Sequence, residues 1–126
     1  MIRNHVRSNL LSGKPSIGPF IGLQSPNVAE LMGNAGFDFV VVESEHNGIE
    51  SAEIEHMLMA IGNTNALPIV RIPSSQQVYI QKALDLGASG IVVPAVKTAQ
   101  EAAEIVSATR FPPDGKRSWG PLRASK

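Results

Sequence analysis

The sequence predicts an α/β fold of four consecutive βα units with parallel strands. Three observations carry this. Apolar runs of strand length, at 38–43, 67–72 and 89–94, alternate with segments of helical period. Glycine, proline and serine punctuate the junctions between them. The run Phe39, Val40, Val41, Val42 is apolar at every position, as in a strand covered on both faces. Alternating βα units imply parallel strands joined by right-handed crossovers. Two architectures satisfy the pattern: an open doubly wound sheet, or part of a (β/α)8 barrel. A whole barrel takes ~250 residues, so four units are half of one.

Each element has its own signal. Residues 2–13 are polar with Val6, Leu10 and Leu11 interspersed, and Gly13 closes them, which fits a short N-terminal helix. Ile17 to Leu23 is a first strand, weakened by Gly18, Pro19 and Gly22. Ser25 and Pro26 open a helix as N-cap and first helical residue. Val28, Leu31, Met32 and Ala35 then recur at helical spacing up to Gly36, a C-terminal glycine. The second strand is 38–43. The loop Ser44–Gly48 leads into a helix over 50–62, with Ile54, Met57, Leu58 and Ile61 on one stripe. The third strand, 67–72, stops at Pro73. Ser74 or Ser75 caps the next helix, which turns Ile80, Ala83 and Leu84 inward and closes at Gly87. Strand four is 89–94. Thr98 and Glu101 form a capping box for a last helix with Ala102, Ile105 and Val106 inward, ending before Pro112 and Pro113. Residues 111–126 read as loop.

Composition bounds the function classes. The 126 residues amount to one domain's worth of chain, 43% hydrophobic. Eleven basic and eleven acidic residues cancel, and the pI is near 6.8. That balance gives no electrostatic case for nucleic acid or an anionic membrane. No apolar run approaches the ~20 residues of a membrane span. The absence of cysteine removes disulfides and thiolate metal sites and fits a reducing, cytoplasmic setting. The N-terminus lacks a secretory apolar core. Its Arg3, His5, Arg7 and Lys14 read as a solvated first turn, with a mitochondrial address as the alternative. No glycine-rich dinucleotide or phosphate-loop motif follows any strand.

The chemistry-bearing residues collect at strand ends. With parallel strands, Glu43, Glu45 and His46 after strand two, Arg71 ending strand three and Pro94 ending strand four share one rim. A histidine moves protons near neutral pH, and an arginine binds a carboxylate or steadies a developing oxyanion. A divalent cation on the carboxylates would add Lewis acidity. Structural roles compete with these. Glu43 and Glu45 also read as solvated loop acids, His46 as a cap or packing group for helix 50–62, and Arg71 as half of a structural ion pair. His56 reads as exposed, His5 as inert and Met57 as core. Trp119 reads as packing within its loop, with an interface anchor as the alternative.

In order along the chain come Ser25, Pro26 and Glu30; then Gly36, Phe37 and Asp38; then Glu45 and His46. After them come Pro68 through Pro73; Leu84, Asp85, Leu86, Gly87 and Ala88, with Gly90, Ile91 and Pro94; and Arg110 through Gly115. This ordered set, running from about 17 to 124, resembles the N-terminal half of the HpcH/HpaI aldolase family, the class II pyruvate aldolases. The resemblance implies the first half of a TIM (β/α)8 barrel, usually oligomeric, with 1–126 a partial domain. It implies reversible cleavage of a 4-hydroxy-2-oxo acid to pyruvate and an aldehyde, with Mg2+ or Mn2+ holding the pyruvate enolate. By position, His46 matches the family's base and Arg71 the arginine on the enolate oxygen. Asp85 matches an acid that raises the basicity of the histidine.

The sequence departs from the family pattern at Glu43, where an aspartate is usual, and at Ser44, where glycine is common. It departs again around Lys116 to Gly120. Asp85, near a helix C-terminus, should face the opposite rim from His46. The family's metal-binding acids lie on strands five and six, so no metal ligand is expected in this chain. Two functions follow: an aldolase represented by a truncated chain, or a non-catalytic half-barrel that pairs with another chain through its two open sheet edges.

Overall fold

The computed structural model describes residues 4–120 and Arg123. The elements in order are α1 (His5–Leu11), β1 (Phe20–Ile21), α2 (Pro26–Asn34), β2 (Phe39–Glu43) and α3 (Ser51–Gly62). They continue with β3 (Leu67–Arg71), α4 (Gln77–Asp85), β4 (Gly90–Val92) and α5 (Ala99–Thr109). The four strands form one parallel sheet in the order β1-β2-β3-β4. A doubly wound sheet reverses its strand order part-way and places helices on both faces. Here the order never reverses, and α2 to α5 pack on one face. This is half of a TIM barrel wall.

Strand alternation sorts the side chains. Ile21, Val40, Val42, Val70 and Ile72 face the helices and join Met57, Ile61 and Ile80 in the core. Met57, Ile61, Ile80, Val40 and Val42 are fully buried. Each such side chain contributes roughly 1.5–3 kcal/mol relative to staying in water. The other face carries Phe20, Val41, Ile69 and Gly90, which are successive register partners across the four strands. That is the lumen side of the barrel wall.

The boundaries differ from expectation for local reasons. β1 is two residues long, because Pro19 has no N–H to give to the ladder. The chain from Ile17 still runs beside β2: Asp38 N donates to Ile17 O at 2.9 Å, and Val41 N donates to Pro19 O at 2.9 Å. Gly18 is required there, since a Cβ would fall 2.1 Å from the Phe39 carbonyl oxygen. Neither Ser74 nor Ser75 caps α4. The N-cap is Gln76, and Ser74 Oγ accepts from the Gln76 amide at 3.4 Å in the turn before it. Ser25 does cap α2, accepting from Val28 N at 3.4 Å. Thr98 caps α5 at 3.1 Å, while Glu101 reaches back to Lys97 N rather than to Thr98 N. Gly36 and Gly87 end their helices with φ of +93° and +105°.

The N-terminal helix is shorter than 2–13. Asn4 caps it, accepting from Arg7 N at 2.8 Å, and residues 2 and 3 lie outside the described residues. His5 is not inert: its Nε2 donates to the Asp38 carbonyl at 2.9 Å and ties α1 to the start of β2. The loop after α5 folds back on that helix, with Lys116 N donating to Ser107 O and Arg117 N to Arg110 O, both at 2.8 Å. The expected loop residues 121–122 and 124–126 lie outside the described residues.

Candidate functional site

Two residues form the centre of the site because the register makes them neighbours. Glu43 is the last residue of β2, Arg71 is the last of β3, and they are direct register partners. Both stand on the lumen face, at the C-terminal rim where barrel enzymes place their reacting groups. Arg71 Nε donates to Glu43 Oε2 at 2.5 Å, and Arg71 Nη2 closes on the same oxygen. The guanidinium also lies 3.4 Å from Glu45 Oε2, and its carbon sits 5.0 Å from the centre of the Phe20 ring. Arg71 is thus held by two carboxylates and an aromatic face.

Glu43 is buried, and its other oxygen anchors the loop. Oε1 accepts from Glu45 N at 2.6 Å and from His46 N at 3.1 Å. Burial alone pushes the Glu43 carboxyl up. The hydrogen bonds from Arg71 and from the two amides, with the guanidinium charge, together outweigh burial and hold it below its ordinary value. Asn47 Nδ2 donates to the Glu43 carbonyl at 2.7 Å and fixes the same turn. Ser44 donates through its hydroxyl to the Arg71 carbonyl at 2.6 Å, tying β2 to β3 just behind the guanidinium.

These contacts settle several open readings. Glu43 is a buried, ion-paired acid rather than a solvated one. Arg71 does make a structural ion pair, and the pair sits on the candidate rim. His46 does not cap α3, whose N-cap is Glu50. Its side chain is 71% exposed, and its Nε2 lies 3.6 Å from Glu45 Oε1, beyond hydrogen-bond length. His46 therefore projects from the rim with its ring exposed and its backbone amide held by Glu43. His56 is exposed, as its helix position suggested.

Asp85 stands apart from this cluster. It ends α4, whose C-terminus leads into the start of β4 and so lies toward the opposite rim. Its Oδ1 accepts from Arg117 Nη2 at 2.6 Å, and its carbonyl accepts from Arg123 N at 3.0 Å. The sequence marked Arg117 only as part of the stretch Lys116 to Gly120 that departs from the family pattern, with no role of its own. Arg117 is buried, lies 4.6 Å from the Phe111 ring centre, and among the described residues has no partner for its Nε. Phe111 in turn touches Trp119 at 5.0 Å between centroids, while Trp119 remains 78% exposed. Only the tertiary fold, not the local pattern, brings Arg117 to Asp85.

A cleft of about 450 Å3 opens between α3 and α4, lined by Ser44, Ile54, Ile72, Tyr79, Lys82 and Leu86 among others. It lies on the helix side of the sheet, behind Arg71, and its lining includes neither Arg71 nor His46. Its location therefore does not compete with the rim as the reacting centre.

The family model for HpcH/HpaI aldolase/citrate lyase matches residues 16–124. The chain belongs to that family. It is 36% identical over 117 residues to a hydroxypyruvate/pyruvate aldolase of Roseobacter denitrificans, covering 93% of this chain and 46% of that protein. It is 40% identical over 111 residues to a 2-dehydro-3,6-dideoxy-6-sulfogluconate aldolase of Pseudomonas putida, covering 87% and 44%. The crystal structure of an HpcH/HpaI aldolase/citrate lyase family protein from Burkholderia cenocepacia J2315 superposes with a TM-score of 0.90 at 30% identity. That match covers 97% of this chain and 51% of the other. The chain thus spans about half the length of the relatives it matches.

The Mg2+ or Mn2+ that the HpcH/HpaI resemblance implies can be tested against the residues present. Among the described residues no group of three or more histidines, aspartates or glutamates is placed to hold a metal ion. The reason is visible at the rim. Both oxygens of Glu43 are committed, to two amides and to Arg71, and Glu45 Oε2 faces the same guanidinium. These residues do not form a metal site. No helix among the described residues is long and apolar enough to cross a membrane.

Proposed function

We propose that this chain carries the proton-transfer and oxyanion-binding half of an aldolase site that cleaves 4-hydroxy-2-oxo acids to pyruvate and an aldehyde. The observation that carries the proposal is the register pairing of Glu43 with Arg71 at the C-terminal rim, with His46 projecting beside it. In the cleavage direction His46 takes the proton of the substrate's C4 hydroxyl, directly or through a water. The C3–C4 bond breaks, the aldehyde leaves, and the electron pair passes into the enolate of pyruvate. Arg71 hydrogen-bonds the C2 oxygen as its negative charge grows. The proton held by His46 then passes, directly or through a water, to C3 and yields pyruvate. Glu43 and Glu45 hold the guanidinium in place, so it is oriented before substrate arrives. The divalent cation expected of such an enzyme, Mg2+ or Mn2+, would draw its ligands from outside this chain.

Asp85 stays outside this scheme. Its carboxylate is committed to Arg117 toward the other end of the sheet, and it reaches a His46 only if brought there by another chain. The remaining parts of the reading are a cytoplasmic setting, a small 2-oxo acid as substrate, and a homo-oligomer.

The test is pyruvate release from 4-hydroxy-2-oxo acids with Mg2+ or Mn2+ supplied. It is run on this chain alone and on this chain joined to the second half of a full-length relative. Activity in the joined chain that falls at least tenfold in Arg71→Ala and His46→Ala supports the proposal. An inactive joined chain that is folded overturns it.

A further inference from the structure

We propose that Asn47 is a self-modification site: its side-chain amide, which clasps the rim loop, is lost to attack by the Gly48 backbone nitrogen, and the loop that carries His46 is then released. The inference goes beyond the aldolase reading and stands without it. It concerns only the loop between β2 and α3, which is bounded on both sides by elements of this chain.

The nucleophile is set by sequence. The chain has seven asparagines, and only Asn47 is followed by glycine. A side chain on the following residue crowds that residue's nitrogen and stiffens its backbone, whereas glycine leaves both free. Gly48 is exposed, and a Cβ built on it would meet nothing within 4 Å. Among the described residues its N–H has no backbone acceptor. The nitrogen next to Asn47 is thus uncommitted.

The turn prepares the carbon under attack. Asn47 Oδ1 accepts from Ile49 N at 3.2 Å, an Asx turn that folds the side chain back along the backbone of residues 48 and 49. When Gly48 N adds to Asn47 Cγ, negative charge gathers on Oδ1, where the Ile49 N–H already stands. Gly48 N gives its proton to solvent and bonds to Cγ. The Cγ–Nδ2 bond breaks, and Nδ2 leaves as ammonia with a proton from water. The product is a cyclic imide. Water opens it at Cγ to give aspartate, or at the Asn47 main-chain carbonyl to give isoaspartate, whose chain runs through Cβ and Cγ.

The amide that is lost is the one that closes the loop. Asn47 Nδ2 donates to the Glu43 carbonyl at 2.7 Å and to the Gly22 carbonyl at 3.4 Å. It thereby joins the end of β2, the loop and the segment after β1. Either product removes this donor and sets a carboxylate beside two carbonyl oxygens that repel it. Isoaspartate also lengthens the main chain by a carbon directly after His46. The two amides held by Glu43 Oε1, Glu45 N at 2.6 Å and His46 N at 3.1 Å, immediately precede the altered residue and lose their placement on the carboxylate. The rim loop opens with age while the sheet beneath it stays folded.

The test is made on this chain, without substrate or metal. The chain is held in warm, mildly alkaline water enriched in heavy oxygen and mapped by peptide mass spectrometry, with isoaspartate counted by enzymatic methylation. Heavy oxygen should enter residue 47 ahead of the other six asparagines. Gly48→Ala, which the open space around Gly48 accommodates, should keep the fold and slow that entry several-fold. Amide hydrogen exchange on the aged chain should quicken at Glu45 and His46 and stay slow at Val40 to Val42. Asn47→Asp, made directly, should show the same quickening. Heavy oxygen entering another asparagine first, an unchanged rate in folded Gly48→Ala, or unchanged protection at Glu45 and His46 in the modified chain each overturns the inference. None of these readouts is an activity, so an inactive enzyme sinks the aldolase reading and leaves this one standing, and an unmodified Asn47 does the reverse.

Discussion

Replacing Glu43 with glutamine probes the rim pair directly. Glutamine keeps the shape and a carbonyl acceptor for the amides of Glu45 and His46, but it removes the charge opposite Arg71. The guanidinium then retains Glu45 Oε2 at 3.4 Å and the Phe20 ring. Breaking a fully buried ion pair costs about 3–5 kcal/mol. Here the Arg71 side chain is 28% exposed and keeps a second carboxylate, so about 1.5–2.5 kcal/mol is expected. Urea unfolding at a fixed protein concentration reads this difference. The sign with pH follows from the lowered Glu43 carboxyl. Its folded form binds a proton less readily than its unfolded form. Its contribution is therefore complete above the ordinary glutamate range, about pH 4.3, and fades as pH falls through the folded value. Glu43→Gln lacks that contribution at every pH. The gap between the two proteins should be about 2 kcal/mol at pH 7 and close toward zero in acid. A double-mutant cycle with Arg71→Met should give a coupling of about 1–2 kcal/mol at pH 7. A gap that is constant with pH, or a coupling under about 0.5 kcal/mol, would refute the reasoning.

Further consequences are open to measurement. Gly18→Ala sets a Cβ against the Phe39 carbonyl and should destabilise the β1–β2 junction by about 1–3 kcal/mol, read by chemical unfolding; a neutral change would contradict the close approach. Asp85→Asn leaves the buried Arg117 without its counter-charge and should cost about 2–4 kcal/mol. Because Arg117 backs Phe111 and Phe111 backs the single tryptophan, the fluorescence anisotropy of Trp119 should fall in the same variant. Since Glu43 and Glu45 are committed to Arg71, Mn2+ titrated into this chain should show no tight, saturable site by electron paramagnetic resonance. One stoichiometric site would contradict that arrangement of the rim.

Much of the frame was legible because its signals are local. The caps at Ser25 and Thr98, the glycines at 36 and 87, and the helical stripe of Met57, Leu58 and Ile61 each depend on residues within a turn or two. Strand boundaries were less legible because hydrogen bonding decides them: the apolar run from Ile17 to Leu23 yields only Phe20–Ile21 once Pro19 withholds a donor. The choice between a doubly wound sheet and a barrel wall depends on strand order, which periodicity does not encode. At the site, His46 and Arg71 stood out by residue type and position at strand ends. The burial of Glu43 did not, since it follows from a register of 28 residues' separation that places it against Arg71. Arg117 and Asp85 are joined across 32 residues in the same way. Asp85 came from family resemblance, and its place near a helix C-terminus already pointed away from His46.

Enolate formation at the rim is the central claim, and one measurement reads it alone. Pyruvate is held in D2O with Mn2+ or Mg2+ and the chain joined to a relative's second half, and exchange of its methyl protons is followed by NMR. The account predicts exchange above background that drops at least tenfold in Arg71→Ala and in His46→Ala, with folding intact. Exchange that persists unchanged in both variants would contradict it.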